Sequence, residues 1–300
     1  MARRKPATTH GVCVVDKPPG VTSHDVVGML RRRFHERQVG HGGTLDPDAT
    51  GVLVVAVGMA TRLLRFVEAT TKRYEGEVVL GTATSTLDAS GTVTGTWDMR
   101  SVTVDDARRV VAEHLLGHIE QVPPMVSALK VDGVRLHELA RQGVEVERPP
   151  RPVQISRFDV APGPHEGVLA IEVECSPGTY IRTLADDLGR LLGGGAHLRN
   201  LRRTAVGAFT VDQAGPPDTA ELLPVEAALA GLARVDVGAD IAVLVGRGQV
   251  LPSADLGCAG AGPWAVFGTA GLLAVYEPFD RREGLVKPAV VLPTAIVPPS

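Results

Sequence analysis

The segment Gly40-His41-Gly42-Gly43-Thr44-Leu45-Asp46-Pro47-Asp48-Ala49-Thr50-Gly51 concentrates residues able to do chemistry. Its glycines allow the backbone to approach a bulky ligand closely. One histidine and two carboxylates precede a continuous apolar, β-branched run from Gly51 to Val57. A carboxylate held on a rigid loop at a strand edge suits nucleophilic attack or general-base work. No Gly-Lys-Ser/Thr follows, so a phosphate-binding P-loop fails on residue type. Taken alone, Asp before Pro is more often a turn than a catalytic element. Cys13, Cys175 and Cys258 lie far apart, with no CxxC and no ligand-spaced histidines. That pattern supports neither a disulfide framework nor a zinc site.

The elements that must position this loop can be read on either side of it. Gly11 to Val15 is expected to be a short strand, ended by the turn Asp16-Lys17-Pro18-Pro19-Gly20. A helix is expected from Ser23, with Val26, Val27, Leu30 and Phe34 as its apolar stripe. The run 51–57 reads as a buried strand, 60–67 as a helix and 73–82 as a further strand. Thr103 and Asp106 resemble a capping box before a helix reaching about Leu116. Asp132-Gly133 suggests a hairpin, followed by a short helix over 136–141. A strand is expected over 168–175 and a helix over 180–192. Strands and helices mix without strict alternation, which favours an α+β sheet over a doubly wound one. The segment 222–233 reads as an apolar helix. After it, short strands over 241–245, 264–268 and 272–276 with close glycine turns suggest a small β-barrel from about residue 235.

Composition bounds the rest. The chain has 300 residues, 44% hydrophobic and 22% charged, enough for one large core with a small satellite domain. The longest apolar candidate, Gly51 to Ala60, is about half of what a bilayer span needs. The basic start, Met1-Ala-Arg-Arg-Lys-Pro, leads into no signal-peptide apolar region. A cytoplasmic protein without membrane association is expected. The formal net charge is −3, but residues 1–75 carry 12 Lys+Arg against 7 Asp+Glu, and residues 178–207 carry 5 against 2. Residues 208–300 carry 5 against 10. A polyanion responds to the local field, so the basic N-terminal half is compatible with nucleic acid despite the acidic tail. Taken alone, Arg31-Arg32-Arg33 reads as a solvated helix face.

Five ordered blocks carry a resemblance. Asp16-Lys-Pro-Pro-Gly20-Val-Thr-Ser23, the Gly40–Gly51 loop, Lys72-Arg-Tyr74-Glu-Gly76, Pro123-Pro124 through Ser127-Ala-Leu-Lys130 to Gly143, and Gly178-Thr-Tyr180-Ile-Arg182-Thr to Asp187-Leu-Gly189 resemble the TruB family of tRNA pseudouridine synthases. The similarity spans about residues 9 to 210. It implies a pseudouridine synthase fold, α+β, with a mixed, largely antiparallel central sheet flanked by helices. It also implies a catalytic domain over 1–234 with an RNA-gripping insertion at about 122–152, and a PUA-like RNA-binding β-barrel over 235–300. The implied reaction isomerises uridine 55 in the T-arm of tRNA on a flipped-out nucleotide, with no cofactor and no metal.

The resemblance also distributes roles. Asp46 matches the family's catalytic aspartate, and Arg182 the arginine that pairs with it and keeps it ionised. Tyr74 matches the tyrosine lying against the target base, and His41 a histidine that enters the RNA beside the extruded nucleotide. Lys17, Tyr180 and Leu201 match positions around the pocket, although Lys17 equally fits a structural partner of its turn. Arg199, Arg202 and Arg203 are expected to touch phosphates. The implied partner is the tRNA T-arm stem-loop, with no protein partner and a monomeric chain. Three positions depart from the family pattern: Val126, His137 and Asp48, the last expected to face solvent. Two rival readings are a synthase guided by a separate RNA, whose lysine-rich extensions are lacking here, and a tRNA-binding chaperone without catalysis. Truncation at about residue 235 is expected to weaken RNA binding while sparing chemistry.

Overall fold

The computed structural model describes residues 6–127, 130–131, 134–136, 144 and 146–293. The first half of the chain runs through β1 (Gly11–Lys17), α1 (Ser23–Arg33), β2 (Val39–His41), β3 (Thr50–Val57), a 3₁₀ segment (Gly58–Leu63), α2 (Leu64–Glu68) and β4 (Lys72–Leu80). A short ribbon of β5 (Thr82–Thr84) and β6 (Val93–Thr96) follows, then α3 (Val104–Val110) and β7 (Gly117–Gln121). After β8 (Lys130–Val131) and β9 (Val134–Arg135) come β10 (Arg151–Pro162), β11 (Val168–Cys175), α4 (Ile181–Leu191), β12 (Ala196–Val206) and β13 (Phe209–Thr210). The main sheet has the order β1-β3-β12-β4-β11-β10-β7, with β2 on β3 and β13 on β12. Among the described strands of this sheet, only β3 and β12 pair in parallel; the sheet is mixed and largely antiparallel, as the family resemblance implies.

The central strands explain themselves by residue type. Every residue of β3 after Thr50 is buried. Val52, Val54 and Ala56 face one apolar cluster, while Leu53, Val55 and Val57 face another. A strand covered on both faces needs this continuous apolar run. Thr22 and Asp25 form a capping box that starts α1, and Val26, Val27 and Leu30 bury its apolar stripe. Arg31 and Arg33 are tied back, Arg31 donating to Val39 O at 3.2 Å and Arg33 to Ala220 O at 2.6 Å. The basic run is therefore partly a set of carbonyl clamps and not a purely solvated face. Thr103 and Asp106 cap α3 in the expected way. Strands β8 and β9 pair antiparallel, while the Asp132-Gly133 turn, His137 and all but Leu136 of the helix expected over 136–141 lie outside the described residues.

Two expectations about the tail fail. The apolar run 241–245 is part of helix α5 (Ala239–Gly246), not a strand. A short apolar run carries no decisive period, and Asp240 in the first turn favours the helix. The segment 222–233 yields only a 3₁₀ turn over Val225–Leu229, because Pro224 delays its start and Gly231 follows closely. The remaining elements are β14 (Ala233–Asp236), β15 (Leu251–Pro252), α6 (Ser253–Leu256), β16 (Trp264–Gly268), β17 (Gly271–Pro278) and β18 (Leu285–Val291). They form a five-stranded sheet, β14-β16-β17-β18-β15. The boundary expected at 235 falls inside β14.

The two sheets share one apolar core. Leu63, Phe66 and Phe209 cluster with Phe267, Val275, Val290 and Leu292. Arg62 also donates to Val291 O at 2.7 Å, and Arg65 pairs with Glu277 at 2.6 Å. Removing the tail would expose several large apolar side chains, each worth about 1.5–3 kcal/mol of burial. A chain ending after Leu232 is expected to melt roughly 10 °C or more below the full chain, read by differential scanning calorimetry. An unchanged Tm would show that the shared core contributes nothing to the catalytic half.

Candidate active site

The glycine loop leaves β2, carries Asp46, and re-enters the sheet at β3. Its β3 end is fixed by close backbone approach. Gly51 has φ +98, and a Cβ there would lie 2.2 Å from Arg203 O; only glycine lets β3 start directly against β12. In the turn before α1, Lys17 is fully buried. Its Nζ donates to Pro18 O, Val21 O and Pro47 O at 2.9, 2.7 and 2.8 Å. Gly20 N donates to Pro47 O as well, at 3.0 Å. Burial pulls the Lys17 ammonium down to about 8, which leaves it mainly protonated at neutral pH. The geometry makes Lys17 the structural partner of its turn and of the Asp46-Pro47 loop. Replacing Lys17 with Met would remove three hydrogen bonds donated by a buried ammonium. We expect a loss of about 3 kcal/mol in urea unfolding; a change below about 1 kcal/mol would contradict this role.

Asp46 meets Arg182 side-on. Arg182 Nε lies 2.9 Å from Asp46 Oδ2, and Nη2 donates to Oδ1 at 3.2 Å. The arginine side chain is only 5% exposed against 41% for the aspartate, so the cation is the fixed partner and the carboxylate faces open space. Arg182 is over-determined: Nη1 donates to Thr86 O at 2.9 Å, Nη2 to Val126 O at 2.8 Å, and Nε lies 3.6 Å from Asp88 Oδ2. Val126 takes part through its carbonyl, so its departure from the family's residue type costs this contact nothing. The Asp46 carboxyl is nevertheless pushed above the ordinary aspartate range, chiefly by burial. Arg182 opposes that rise and Asp88 adds to it. Arg182 therefore favours the ionised carboxylate while burial opposes it. Asp48 is exposed, as expected.

A cavity of about 390 Å³ opens over this pair, with Asp46, Tyr74, Tyr180, Arg182 and Leu201 all in its wall. The fold supplies it at a seam: Tyr74 and Leu201 each touch two different apolar clusters. Leu201 reaches the cavity from a β-bulge between Arg199 and Arg202, where Asn200 takes φ +53; bulges re-aim side chains in this way. Burial raises the Tyr74 hydroxyl, and the Arg203 guanidinium beside it works the other way. Tyr180 is held by its backbone, its N–H donating to Gln121 Oε1 at 2.7 Å while its carbonyl accepts from Gln121 Nε2 at 3.0 Å.

His41 and Lys17 are not in the cavity wall. His41 sits at the end of β2 opposite Val55, with its Nδ1 buried and lacking a hydrogen-bond partner. Burial, with Arg203 and His24 nearby, lowers its pKa and favours the neutral ring. The three arginines read as phosphate contacts are engaged inside the protein. Arg199 pairs with Glu77 at 2.5 Å and Arg202 with Asp16 at 2.8 Å, while Arg203 is 1% exposed. Sequence reasoning missed Lys72, Glu68, Ser127 and the Ser176–Thr179 turn in the wall, as well as Asp88 and Gln121 behind it. Lys72, Ser127, Gly178 and Thr179 stand within the resembling motifs and carry a signal that could find them; Asp88 and Gln121 give no pattern.

The family model for the TruB pseudouridylate synthase N-terminal domain matches residues 31–181, and the model for the tRNA pseudouridylate synthase B C-terminal domain matches 182–230. A tRNA pseudouridine synthase B of Corynebacterium aurimucosum is 53% identical over 225 residues, covering 73% of this chain and 74% of that protein. One from Mycolicibacterium paratuberculosis is 48% identical over 255 residues, covering 82% and 87%. Among solved structures, a Cbf5-Nop10-Gar1 complex aligns with a TM-score of 0.72 and 25% identity over 97% of this chain and 87% of that one. An H/ACA RNP bound to a substrate RNA containing 2'-deoxyuridine aligns with a TM-score of 0.68 at 24% identity, covering 96% of this chain and 87% of that one; this second likeness is one of fold.

Proposed function

We infer the reaction from two facts together: the chain belongs to the TruB family of pseudouridylate synthases, and the Asp46–Arg182 pair, its guanidinium buried, lies in the wall of a nucleoside-sized cavity. The protein is an isomerase that forms pseudouridine in tRNA. Its proposed target is uridine 55 of the T-arm, reached by turning the nucleotide out of the stack. The bond between sugar C1′ and base N1 breaks, the uracil turns, and a bond forms between C1′ and C5. The hydrogen leaves C5 and N1 gains one, so reactant and product contain the same atoms and no redox partner is required.

Each wall residue takes a part in this reading. The Asp46 carboxylate is the nucleophile or electrostatic partner of C1′, aimed by the Arg182 fork. Tyr74 offers an aromatic face to the detached uracil, with Leu201 and Tyr180 as the apolar sides of the same slot. His41, outside the wall and neutral, is assigned to the RNA around the extruded nucleotide, where a ring can stack. The tail sheet is assigned as a PUA-like RNA-binding domain, beginning at β14. Among the described residues no helix is long and apolar enough to cross a membrane. We place the enzyme in the cytoplasm with its tRNA substrate, acting as a monomer.

The observation that carries the proposal is the side-on Asp46–Arg182 pair open to the cavity. Incubating the protein with a T-arm stem-loop and mapping the product by mass spectrometry after pseudouridine-specific derivatisation tests it. One derivatised residue at the T-loop uridine is the expected result. Unmodified RNA that binds tightly would favour the rival reading of a tRNA chaperone.

A further inference from the structure

Arg203 presents an arrangement that the reaction chemistry does not explain. It is 1% exposed, so it is not available to an RNA phosphate. Its guanidinium reaches three backbone carbonyls: Nε donates to Val52 O at 2.7 Å, Nη1 to Thr44 O at 3.3 Å and Nη2 to Gly43 O at 3.1 Å. Gly43 and Thr44 precede Asp46, and Val52 follows it, so one side chain grips the catalytic loop on both flanks. The backbone of Arg203 abuts the same loop, facing Gly51 across the β3–β12 bridge. On its other side Arg203 is the direct cross-strand partner of Tyr74 in β4. Strand irregularities flank the Arg202-Arg203 pair, between 199 and 202 and between 203 and 205. Arg202 pairs with Asp16, and Arg203 lies in the cavity wall.

We propose that Arg203 is a positioning residue for the isomerisation, a strut that fixes the Asp46 loop at both ends and sets its distance from Tyr74. This rests on Asp46 being the reacting acid. A guanidinium suits the task because its planar fork sends separate N–H groups in fixed directions. The Lys17 ammonium holds Pro47 O, so the loop is anchored by two buried cations with separate carbonyl acceptors. A lysine at position 203 keeps a buried cation near Gly43 and Thr44 but is not able to span three carbonyls.

The test compares Arg203→Lys, Asp46→Asn and the parent enzyme on a T-arm stem-loop, measuring single-turnover rate, RNA Kd and near-ultraviolet circular dichroism. For Arg203→Lys we expect the rate to fall about 100-fold, the cost of misplacing a reacting group by roughly 1 Å. RNA Kd should stay within about threefold, and the native spectrum should be retained. A rate within about threefold of the parent would overturn the proposal, as would weakened RNA binding with an intact rate. Loss of the native spectrum in Arg203→Lys would also overturn it, because the arginine would then support the sheet and not the loop. Turnover retained in Asp46→Asn is a different failure, that of the underlying assignment of Asp46.

Discussion

Asp46→Asn lowers the rate of pseudouridine formation by at least about 10⁴-fold, the scale seen when a reacting group is removed. Tight tRNA binding should survive, because Asn keeps the shape of the side chain and Arg182 keeps its Thr86 and Val126 carbonyl acceptors. Stability provides a second readout with a definite sign. The folded-state pKa of Asp46 is raised, with burial the largest cause. A carboxyl of that kind stabilises the fold most below its unfolded pKa of about 3.9 and loses that contribution as pH rises through the folded value. The neutral amide should therefore melt at or above the parent temperature near pH 7. That advantage should shrink on acidification toward pH 4. Turnover in this variant, measured with enzyme in excess over T-arm RNA, would overturn the catalytic role.

Arg182 ranks second in expected effect. Its guanidinium satisfies Asp46 side-on and two carbonyls at once, with Asp88 close behind. Lysine is a single point donor, unable to reproduce that fork. Arg182→Lys should reduce the rate by about 10²–10³-fold, the scale of losing one preorganised electrostatic contact. Arg182→Gln removes the charge that opposes the rise of the Asp46 pKa. Its residual activity should then show an acid limb displaced upward from the parent's, and the parent's limb should already lie above the ordinary aspartate value of about 3.9. Coincident acid limbs in the two pH–rate profiles would mean that Arg182 does not tune Asp46. Losing the buried Arg182 side chain and its carbonyl contacts also lowers stability, so rates are compared well below each variant's Tm.

The parts of this structure visible in the sequence are those where local chemistry and tertiary role agree. Strand β3 is apolar on both faces because both faces are covered. The capping boxes at Thr22 and Thr103 are local hydrogen bonds, set by residues three apart. Strand β12 was not legible. It carries Arg199, Arg202 and Arg203 in the middle of the sheet, and an arginine-rich run reads as surface unless its acceptors are known. Those acceptors, Glu77, Asp16 and the carbonyls around the catalytic loop, come from distant parts of the chain. The same holds for Gln121, whose value lies in a peptide group 59 residues away. The helix at 239–246 carries no distinctive signature, because five apolar residues in a row fit either period.

A structure of the Asp46→Asn variant with a T-arm stem-loop is the most direct measurement. The account predicts one uridine turned out of the loop, its C1′ within about 3.5 Å of the side chain at position 46, and its uracil against the Tyr74 ring. An RNA seated on the protein with every T-loop base still stacked, or with the extruded sugar closer to another carboxylate, would contradict it.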